Sequence, residues 1–600
     1  MLKHLILRFG PSGTVYPLEL TPGPMTVFVG PNNSGKSLAL REVEEYLESG
    51  GRQERRIVAG MEFHLPDPEE ARRMVETRRV DGDSTPLPAG RIRVSRMQPV
   101  GEHMKKRATD VADTPSDRVI DFDAVLRILG SGCPGQEEIA RLCRDFLSLF
   151  TIRLDGQTRL ALTHPRPTGD LQFHPTNHLA ALFRNAAARE QIREITAEAF
   201  GLHFVLDPTG GTHLRIRMSE RPPHDGCEEQ ALDDRARAFH ALATDIAEMS
   251  DGIKAFTGLT AAVLSADYRI MLVDEPEAFL HPPLTRKLGK RLTQLAAKRG
   301  AHVLASTHSP EFLLGCVQSG KSVNIVRLSY KRGVPSATLL AAEKLQSMMR
   351  DPLLRSTGVL GALFHDGAIV CEADADRVFY QEVNERLLAA GRGGADGCIF
   401  LNAQNKQTIR RILRPLREMG IPAVAVVDLD IVKGKEDFRD LLRAAYVPEA
   451  FLEHWEEMRI LLQQKLRGEA YRDGGIHTLG REARATAEVL LDGLTAFGVF
   501  VVPPGELECW LPALEVGGHG PEWLTQVFER MGSDTSDESY LRPGDGDVWR
   551  FMQRVAAWIG DPHRRGMAQD TIPLDHLLSP PEEPAEEAED EAVPLPQTAA

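Results

Sequence analysis

The sequence of 600 residues predicts an α/β protein built on two parallel β-sheets. A glycine-rich loop, residues 30–37, lies between a strand-like run and a helical run. An apolar strand-like run, residues 269–273, ends in two acids, and a later alternation of strand and helix patterns contains more strands that end in acids. Such alternation is typical of parallel sheets, whose strands present functional groups at their carboxyl ends.

The loop has the spacing Gly-x4-Gly-Lys-Ser of a phosphate-binding loop. It follows the apolar run 25–29 and precedes a helical run, so its backbone N–H groups can surround phosphate oxygens at a helix N-terminus. We expect Lys36 to reach the β- and γ-phosphates of ATP and the Ser37 hydroxyl to ligate Mg²⁺. The predicted nucleotide contacts are Gly30, Asn32, Asn33, Ser34, Gly35, Lys36 and Ser37.

The acid pair Asp274-Glu275 follows the apolar run Ile-Met-Leu-Val. A nucleotide triphosphate needs such a pair beside the phosphate loop: Asp274 suits the Mg²⁺ shell, and Glu275 suits polarisation of the attacking water. A helical pattern and a second apolar strand, residues 302–307, follow, and that strand ends at His308.

This ordered set resembles the ABC-type ATPase heads of the SMC and overcoming-lysogenization-defect (OLD) group. The resemblance implies that His308 senses the γ-phosphate and that Met249-Ser250-Asp251-Gly252 stands where the family's signature motif lies. The family usually has a second small residue at the position of Asp251. Ser250 would then contact the nucleotide of a partner head, so ATP would be sandwiched in a homodimer or a higher homo-oligomer.

A second domain follows, in which carboxylates again end the strands. Glu372 follows the apolar run 368–371, and Asp428 and Asp430 follow the apolar run 421–427. Carboxylates gathered at one sheet edge repel each other unless a hard cation binds among them, and such oxygen-rich sites suit Mg²⁺ or Mn²⁺.

The spacing of these acids resembles the Toprim domain of topoisomerases, primases and OLD nucleases. The resemblance makes Glu372, Asp428 and Asp430 the metal ligands for phosphodiester chemistry, and Asp376 matches the family's acid four residues after the glutamate. The family's glycine after the glutamate is Ala373 here, which reduces backbone freedom but removes no ligand.

Two later positions bear on cleavage. Glu508 or, second to it, Glu506 matches an OLD glutamate that serves a second metal ion, although a glutamate is also favoured in the first turn of a helix. OLD nucleases also use a late basic residue near the scissile phosphate, and this chain has no lysine after Lys465. The candidates for that role are Arg550, Arg554, Arg564 and Arg565, with Lys406 as an alternative that contacts DNA or the acids.

Composition bears on the compartment of the protein and on its binding to membranes and nucleic acid. Seven cysteines occur singly and no apolar stretch has the length of a membrane span, so we expect a reduced, cytoplasmic protein that does not enter a membrane. The net charge of −15 requires local basic patches for nucleic-acid binding. The candidate patches are Arg91, Arg93 and Arg96, and Arg410, Arg411, Arg414 and Arg417, although a solvated helix face explains such runs at least as often.

The predicted fold class is therefore an ABC-type P-loop ATPase domain with a helical insertion, followed by a Toprim domain. The predicted boundaries are 1–345 for the ATPase with its helical and dimerisation insertion at about 50–245, 346–575 for the Toprim domain with helices inserted at about 431–495, and 576–600 for a disordered acidic tail. No long heptad array appears, which argues against an SMC protein with coiled-coil arms.

The resemblance implies an ATP-hydrolysing, Mg²⁺- or Mn²⁺-dependent endonuclease or nickase that acts on nucleic acid, DNA rather than RNA, in bacterial defence against phage. Such proteins sometimes act beside a helicase-like partner. Two alternatives stay open: an ATP-switched sensor whose Toprim domain binds without cutting, and a Toprim nuclease that acts on RNA such as tRNA.

Overall fold

The structure is a computed structural model that describes most of residues 1–568. The predicted acidic tail at 576–600 and Arg96 lie outside the described residues. Within that span the positions left out are 12–15, 52, 81–86, 96–116, 133, 157, 173, 176, 332, 341, 353, 355–357 and 467.

A six-stranded sheet forms the centre of the N-terminal domain. Five of its strands are parallel to their neighbours, and the strand at one edge is antiparallel. The apolar runs around the phosphate loop become buried strands because both faces of a parallel sheet are covered. In spatial order the strands are β15 (Val334–Leu340), β14 (Val323–Lys331), β3 (Met25–Val29), β13 (His302–Ser306), β12 (Ile270–Asp274) and β7 (Thr151–Leu154).

The segment expected as a helical insertion, about 50–245, is of mixed structure. It supplies the edge strand β7 of the central sheet as well as a hairpin and a small antiparallel sheet, because alternating runs such as Leu214–Met218 have one buried face. The remaining strands of this domain are β1 (Leu2–Leu7), β2 (Leu18–Leu20), β4 (Val58–Phe63), β5 (Arg91–Ser95), β6 (Asp117–Asp121), β8 (Arg166–Pro167), β9 (His203–Asp207), β10 (His213–Ser219) and β11 (Thr244–Asp245).

Helices cover the central sheet, and one of them begins inside the phosphate loop at Lys36. They are α1 (Lys36–Ser49), α2 (Pro68–Glu76), α3 (Phe122–Ser131), α4 (Gln136–Asp145), α5 (Thr158–Ala161), α6 (His178–Arg184), α7 (Ala186–Phe200), α8 (Gly226–Gln230), α9 (Asp234–Leu242), α10 (Asp251–Ser265), α11 (Pro282–Arg299), α12 (Pro310–Val317) and α13 (Ala342–Arg350).

The second domain has a four-stranded parallel sheet. Its strands, in spatial order, are β17 (Cys398–Asn402), β16 (Gly367–Cys371), β18 (Ala423–Val427) and β19 (Val499–Val501). Since β16 and β18 are neighbours that the chain does not connect directly, their carboxyl ends form the crevice where open parallel sheets bind ligands. The helices are α14 (Asp374–Ala389), α15 (Lys406–Glu418), α16 (Lys435–Ala444), α17 (Glu449–Lys465), α18 (Arg481–Ala496), α19 (Gly520–Met531) and α20 (Asp547–Gly560).

A buried arginine joins the two domains. Arg327 of β14 donates from Nη1 to the Gly420 carbonyl at 3.2 Å and from Nη2 to the His365 carbonyl at 2.9 Å, both in the second domain. The strand register places Arg327 opposite Val29, the residue before the phosphate loop. The junction therefore lies one strand away from that loop.

In the part of the chain that the structure describes, every helix is too short or too polar to cross a membrane. The described cysteines are free thiols: Cys143, Cys227, Cys316, Cys371, Cys398 and Cys509.

Candidate nucleotide and metal sites

The phosphate loop has backbone angles at Gly30 and Gly35 that favour glycine. Gly30 and Gly35 have φ values of 144° and 94°. A Cβ on Gly30 would lie 2.0 Å from the Leu328 carbonyl oxygen, and one on Gly35 would lie 2.6 Å from the Ile57 side chain. The loop therefore curves tightly between β3 and α1, as a cradle for phosphate oxygens requires.

Lys36 lies across this loop. Its ammonium donates to the carbonyls of Gly30 at 2.9 Å and Pro31 at 2.7 Å, and its side chain is buried. Burial lowers the pKa of Lys36 to about 8, and the carboxylates of Glu275 and Asp274 oppose that shift. The ammonium is thus positioned beside the loop and close to the predicted catalytic acids.

Ser37, in the first turn of α1, lies beside Asp274 at the end of β12. The sequence predicts this proximity for a shared Mg²⁺ site. The Ser37 hydroxyl donates to Asp274 Oδ1 at 2.9 Å, and the Ser306 hydroxyl at the end of β13 donates to the same oxygen. A hydroxyl and a carboxylate side by side are oxygen ligands of the kind that Mg²⁺ binds in nucleotide sites. The residues present therefore fit ATP with Mg²⁺.

Glu275 and His308 lie close together at the ends of β12 and β13. Glu275 has a left-handed backbone, φ 48°, and its Oε1 lies 3.9 Å from His308 Nε2. Burial, aided by the charge of Lys36, lowers the pKa of His308, which favours a neutral imidazole at pH 7. The geometry brings together the two residues predicted to act on water and on the γ-phosphate.

Glu277 was not predicted as a functional residue. Its carboxylate accepts from the Thr307 hydroxyl at 2.8 Å and from the His308 backbone N–H at 2.7 Å, and burial raises its pKa. It therefore holds the turn that carries His308 against the turn that carries Glu275. The sequence signal that could have identified Glu277 is its position two residues after Glu275, the predicted catalytic acid.

Arg159 of α5 is a second residue that the sequence does not single out. Its side chain is buried, and its guanidinium donates to the Asp274 carbonyl. A Cβ on Gly258 of α10 would lie 2.7 Å from the Arg159 carbonyl oxygen, so α5 packs tightly on α10. No motif surrounds Arg159, because its role depends on packing between distant segments.

Ser250 is exposed at the start of α10, where its hydroxyl accepts from the Ile253 N–H at 3.5 Å. A Cβ on Gly252 would lie 2.9 Å from the Phe279 carbonyl oxygen, so the Met249–Gly252 segment packs on the turn that follows the catalytic acids. Contact of Ser250 with a partner's nucleotide stays a prediction.

The predicted acids of the second domain meet at the crevice between β16 and β18. Glu372 Oε1 accepts from the Asp428 backbone N–H at 3.0 Å. Burial raises the pKa of both carboxyl groups, and their mutual repulsion and that of Asp430 add to the shift. Buried carboxylates that repel each other are the donor set that a hard divalent cation stabilises.

Asp376 lies beside these acids in the first turn of α14. One of its oxygens accepts from the Ala373 N–H at 2.8 Å, so it caps its own helix. Burial raises the pKa of Asp376 to about 6, and the charges of Glu508 and Glu506 contribute. Contact of Asp376 with a metal ion stays a prediction.

Glu506 and Glu508 form a cluster with His519, which the sequence analysis did not identify. One ligand atom from each of the three lies within 4.8 Å of the others, a spacing that permits a cation. Glu508 Oε1 accepts from the Gly520 N–H at 2.8 Å and lies 3.4 Å from His519 Nδ1, while Glu506 is paired with Arg472. The residues present fit Mg²⁺ or Mn²⁺ on this side of the crevice as well.

Among the described residues, two of the late arginines contact other parts of the protein. Arg554 pairs with Asp492 at 2.6 Å, and Arg564 donates to backbone carbonyls at the end of α20. Arg550 and Arg565 are exposed. Lys406 instead reaches the acids, with Nζ 2.6 Å from Asp430 Oδ2.

The basic patch predicted on α15 is largely neutralised. Arg410, Arg411 and Arg414 each form an ion pair with an acid, and Arg417 is buried and donates to backbone carbonyls. The arginines therefore do not form an unpaired basic face, because Asp440 and Asp351 reach them from other segments and Glu418 lies one turn further along the same helix.

Two protein-family models match the chain. Residues 231–314 match the family described as "AAA domain, putative AbiEii toxin, Type IV TA system". Residues 363–430 match the family described as "Overcoming lysogenization defect protein-like, TOPRIM domain". The first match contains Ser250, Asp274, Glu275 and His308, and the second contains the three acids of the crevice.

Matches were also found among solved structures. An SMC head bound to the C-winged helix domain of ScpA is 16% identical, with 58% of this chain and 99% of that chain covered and a TM-score of 0.32. The Thermotoga maritima SMC head is 15% identical, with 57% and 98% covered and a TM-score of 0.25. A Pyrococcus furiosus SMC head with an extended coiled coil is 14% identical, with 58% and 98% covered and a TM-score of 0.30. These scores are too low to carry an argument about function.

No curated protein matches the chain. The predicted α/β fold class is confirmed, with parallel sheets in both domains. The order of the two family matches agrees with the position of the phosphate loop and of the acid crevice along the chain. With an AAA-type ATPase domain followed by an OLD-like Toprim domain, this chain has the ATPase–Toprim architecture of the OLD family.

Proposed function

We propose that the protein is an ATP-hydrolysing, Mg²⁺- or Mn²⁺-dependent endonuclease or nickase of the OLD type. The observation that carries the proposal is the crevice between β16 and β18, where Glu372, Asp428 and Asp430 come together in a domain that matches the OLD-like Toprim family. A buried group of carboxylates is costly without a cation, so its presence favours metal-dependent chemistry.

In the ATPase domain the loop N–H groups and Lys36 would bind the phosphates, and Ser37 and Asp274 would hold Mg²⁺. Glu275 would polarise the attacking water, and the imidazole of His308, 3.9 Å from Glu275, would contact the γ-phosphate. Glu277 keeps the two turns together through the His308 N–H. Exposed Ser250 is available to a second head, which supports hydrolysis in a homodimer or higher homo-oligomer.

In the Toprim domain Glu372, Asp428 and Asp430 would hold the first cation, with Asp376 beside them. Glu506, Glu508 and His519 fit a second. Two cations in such a site stabilise the attacking and the leaving oxygens of an in-line displacement. The chain's own contribution is to fix the acids: Asp428 is placed by its N–H bond to Glu372, and Asp376 by its bond to Ala373.

The substrate we propose is DNA, and the biological setting is bacterial defence against phage, in the cytoplasm and beside a helicase-like partner. The OLD architecture supports this setting. The arginines of α15 do not add support for DNA over RNA, because each of Arg410, Arg411 and Arg414 is paired with an acid.

The test is incubation of the full-length protein with supercoiled plasmid or with tRNA, each with Mg²⁺ or Mn²⁺ and with or without ATP. Nicked or linear plasmid supports the proposal. Cleaved tRNA with intact plasmid favours an RNA nuclease. ATP hydrolysis without cleavage of either substrate favours a sensor, an alternative that the lack of a lysine after Lys465 keeps open.

A further inference from the structure

A lysine lies among the acids of the Toprim crevice. Lys406 Nζ is 2.6 Å from Asp430 Oδ2, and both side chains are about one-quarter exposed, 24% and 26%. Burial lowers the pKa of Lys406, but the hydrogen bond and charge of Asp430, together with the charge of Glu372, outweigh it and raise that pKa. The ammonium thus neutralises part of a site that otherwise consists of carboxylates.

The chain fixes this lysine by a tight turn. Gln404 has a left-handed backbone, φ 70°, and the N–H of Ala403 donates to the Cys371 carbonyl at the end of β16 at 2.9 Å. Asn405 then caps α15 by accepting from the Thr408 N–H at 3.0 Å. Lys406 is therefore the first residue of a capped helix anchored to the strand that carries Glu372.

We propose that Lys406 is the phosphate-binding residue of the nuclease site and that its ammonium and the divalent cation compete for Asp430. The inference rests on the proposed nuclease function. When the cation takes Asp430, the long and flexible lysine stem allows the ammonium to turn to a phosphate oxygen of the substrate. An ammonium aimed at the charge that develops on a phosphate accelerates its displacement.

This role predicts two effects of opposite sign for one substitution. Loss of the Lys406 charge removes a competitor of the cation, so Mn²⁺ should bind about fivefold more tightly. Loss of the same charge removes the phosphate contact, so cleavage should slow by about a hundredfold or more even at saturating Mn²⁺. A lysine that only stabilises the fold would not tighten Mn²⁺ binding while slowing cleavage.

The test uses full-length Lys406→Met and Lys406→Arg, with Lys435→Met as the matched control. Lys435 is an exposed lysine at the first residue of the neighbouring helix α16, so the control removes the same net charge. Mn²⁺ binding is measured without nucleotide by the electron paramagnetic resonance signal of free Mn²⁺. Nicking of supercoiled plasmid is measured at saturating Mn²⁺.

We expect tighter Mn²⁺ binding and slow nicking for Lys406→Met, parent-like Mn²⁺ binding with partial nicking for Lys406→Arg, and parent-like results for Lys435→Met. Unchanged or weaker Mn²⁺ binding by folded Lys406→Met overturns the competition for Asp430. Nicking at the parent rate by Lys406→Met, or equal losses in Lys435→Met, overturns the phosphate contact. If Lys406→Met does not fold, Lys406→Gln takes its place: tighter Mn²⁺ binding with slow nicking supports the inference, and nicking at the parent rate overturns it. If the parent protein cuts no plasmid, the proposed nuclease function is refuted. The Mn²⁺-binding measurement still decides whether Lys406 and the cation compete for Asp430.

Discussion

Replacement of Asp428 by Asn should stabilise the metal-free protein at pH 8. Burial and the neighbouring acids raise the pKa of Asp428 above its ordinary value of 3.8. An acid whose pKa is higher in the folded state stabilises the fold when protonated, and that stability is lost as pH rises from the unfolded pKa towards the folded one. At pH 8 the unfolded chain releases this proton more readily than the folded chain does, so the parent is destabilised, and the neutral amide removes that effect.

The magnitude follows from the size of the shift. Burial and the neighbouring acids raise the pKa of Asp428 to about 9, and each pH unit between 3.8 and the raised pKa costs the fold about 1.4 kcal/mol, so the metal-free parent loses several kcal/mol of unfolding free energy by pH 8. For a domain of about 200 residues each kcal/mol moves the melting temperature by about 2 to 4 °C, so the Asn variant should melt roughly 10 °C or more above the parent. At pH 4, where the parent carboxyl group is protonated, the two proteins should melt together.

The assay is thermal unfolding of the full chain without nucleotide, because the phosphate loop also binds Mg²⁺ with ATP. Added Mn²⁺ should narrow the difference: a cation at a hundred times its dissociation constant stabilises the parent by about 2.7 kcal/mol, and the variant, with one ligand fewer, gains less. A lower melting temperature of metal-free Asp428→Asn at pH 8 would refute the reasoning, as would equal responses to Mn²⁺.

Other substitutions test the ATP site and the domain junction. Lys36→Ala should reduce ATP hydrolysis by about a hundredfold or more because a phosphate contact is lost; an unchanged ATPase rate would rule out the site. Glu275→Gln should bind ATP without hydrolysing it, and size-exclusion chromatography with ATP should show a larger assembly than for the parent. Arg327→Leu leaves the Gly420 and His365 carbonyls without their donor; ATP hydrolysis should persist while ATP loses its effect on nicking. A normal ATP effect on nicking in that variant would exclude coupling through Arg327.

The sequence predicted the parts of the sites that follow buried strands. Glu372 and Asp428 end runs of apolar residues, and parallel strands bring such ends to one edge of a sheet, so their proximity followed from strand order alone. The same reasoning placed Ser37 near Asp274. Local pattern was sufficient because these residues lie at the boundary between a strand and a turn.

Contacts between side chains from distant segments could not be predicted from strand patterns, because they depend on tertiary packing. Arg159 lies in a segment without a motif, and its contact with the Asp274 carbonyl depends on how α5 packs. His519 joins Glu508 through a loop with no repeating pattern. The basic run on α15 was misread because two of its acidic partners, Asp440 and Asp351, lie in other segments of the chain.

The most direct measurement of the central claim is nicking of supercoiled plasmid by the double variant Asp428→Ala with Asp430→Ala, at saturating Mn²⁺ and with ATP. The two acids lie at the Toprim crevice, away from the phosphate loop. We therefore predict that the double variant hydrolyses ATP as the parent does and leaves the plasmid intact. Nicking at the parent rate by the double variant would contradict the account, because cleavage that survives the loss of both acids is not chemistry of this crevice.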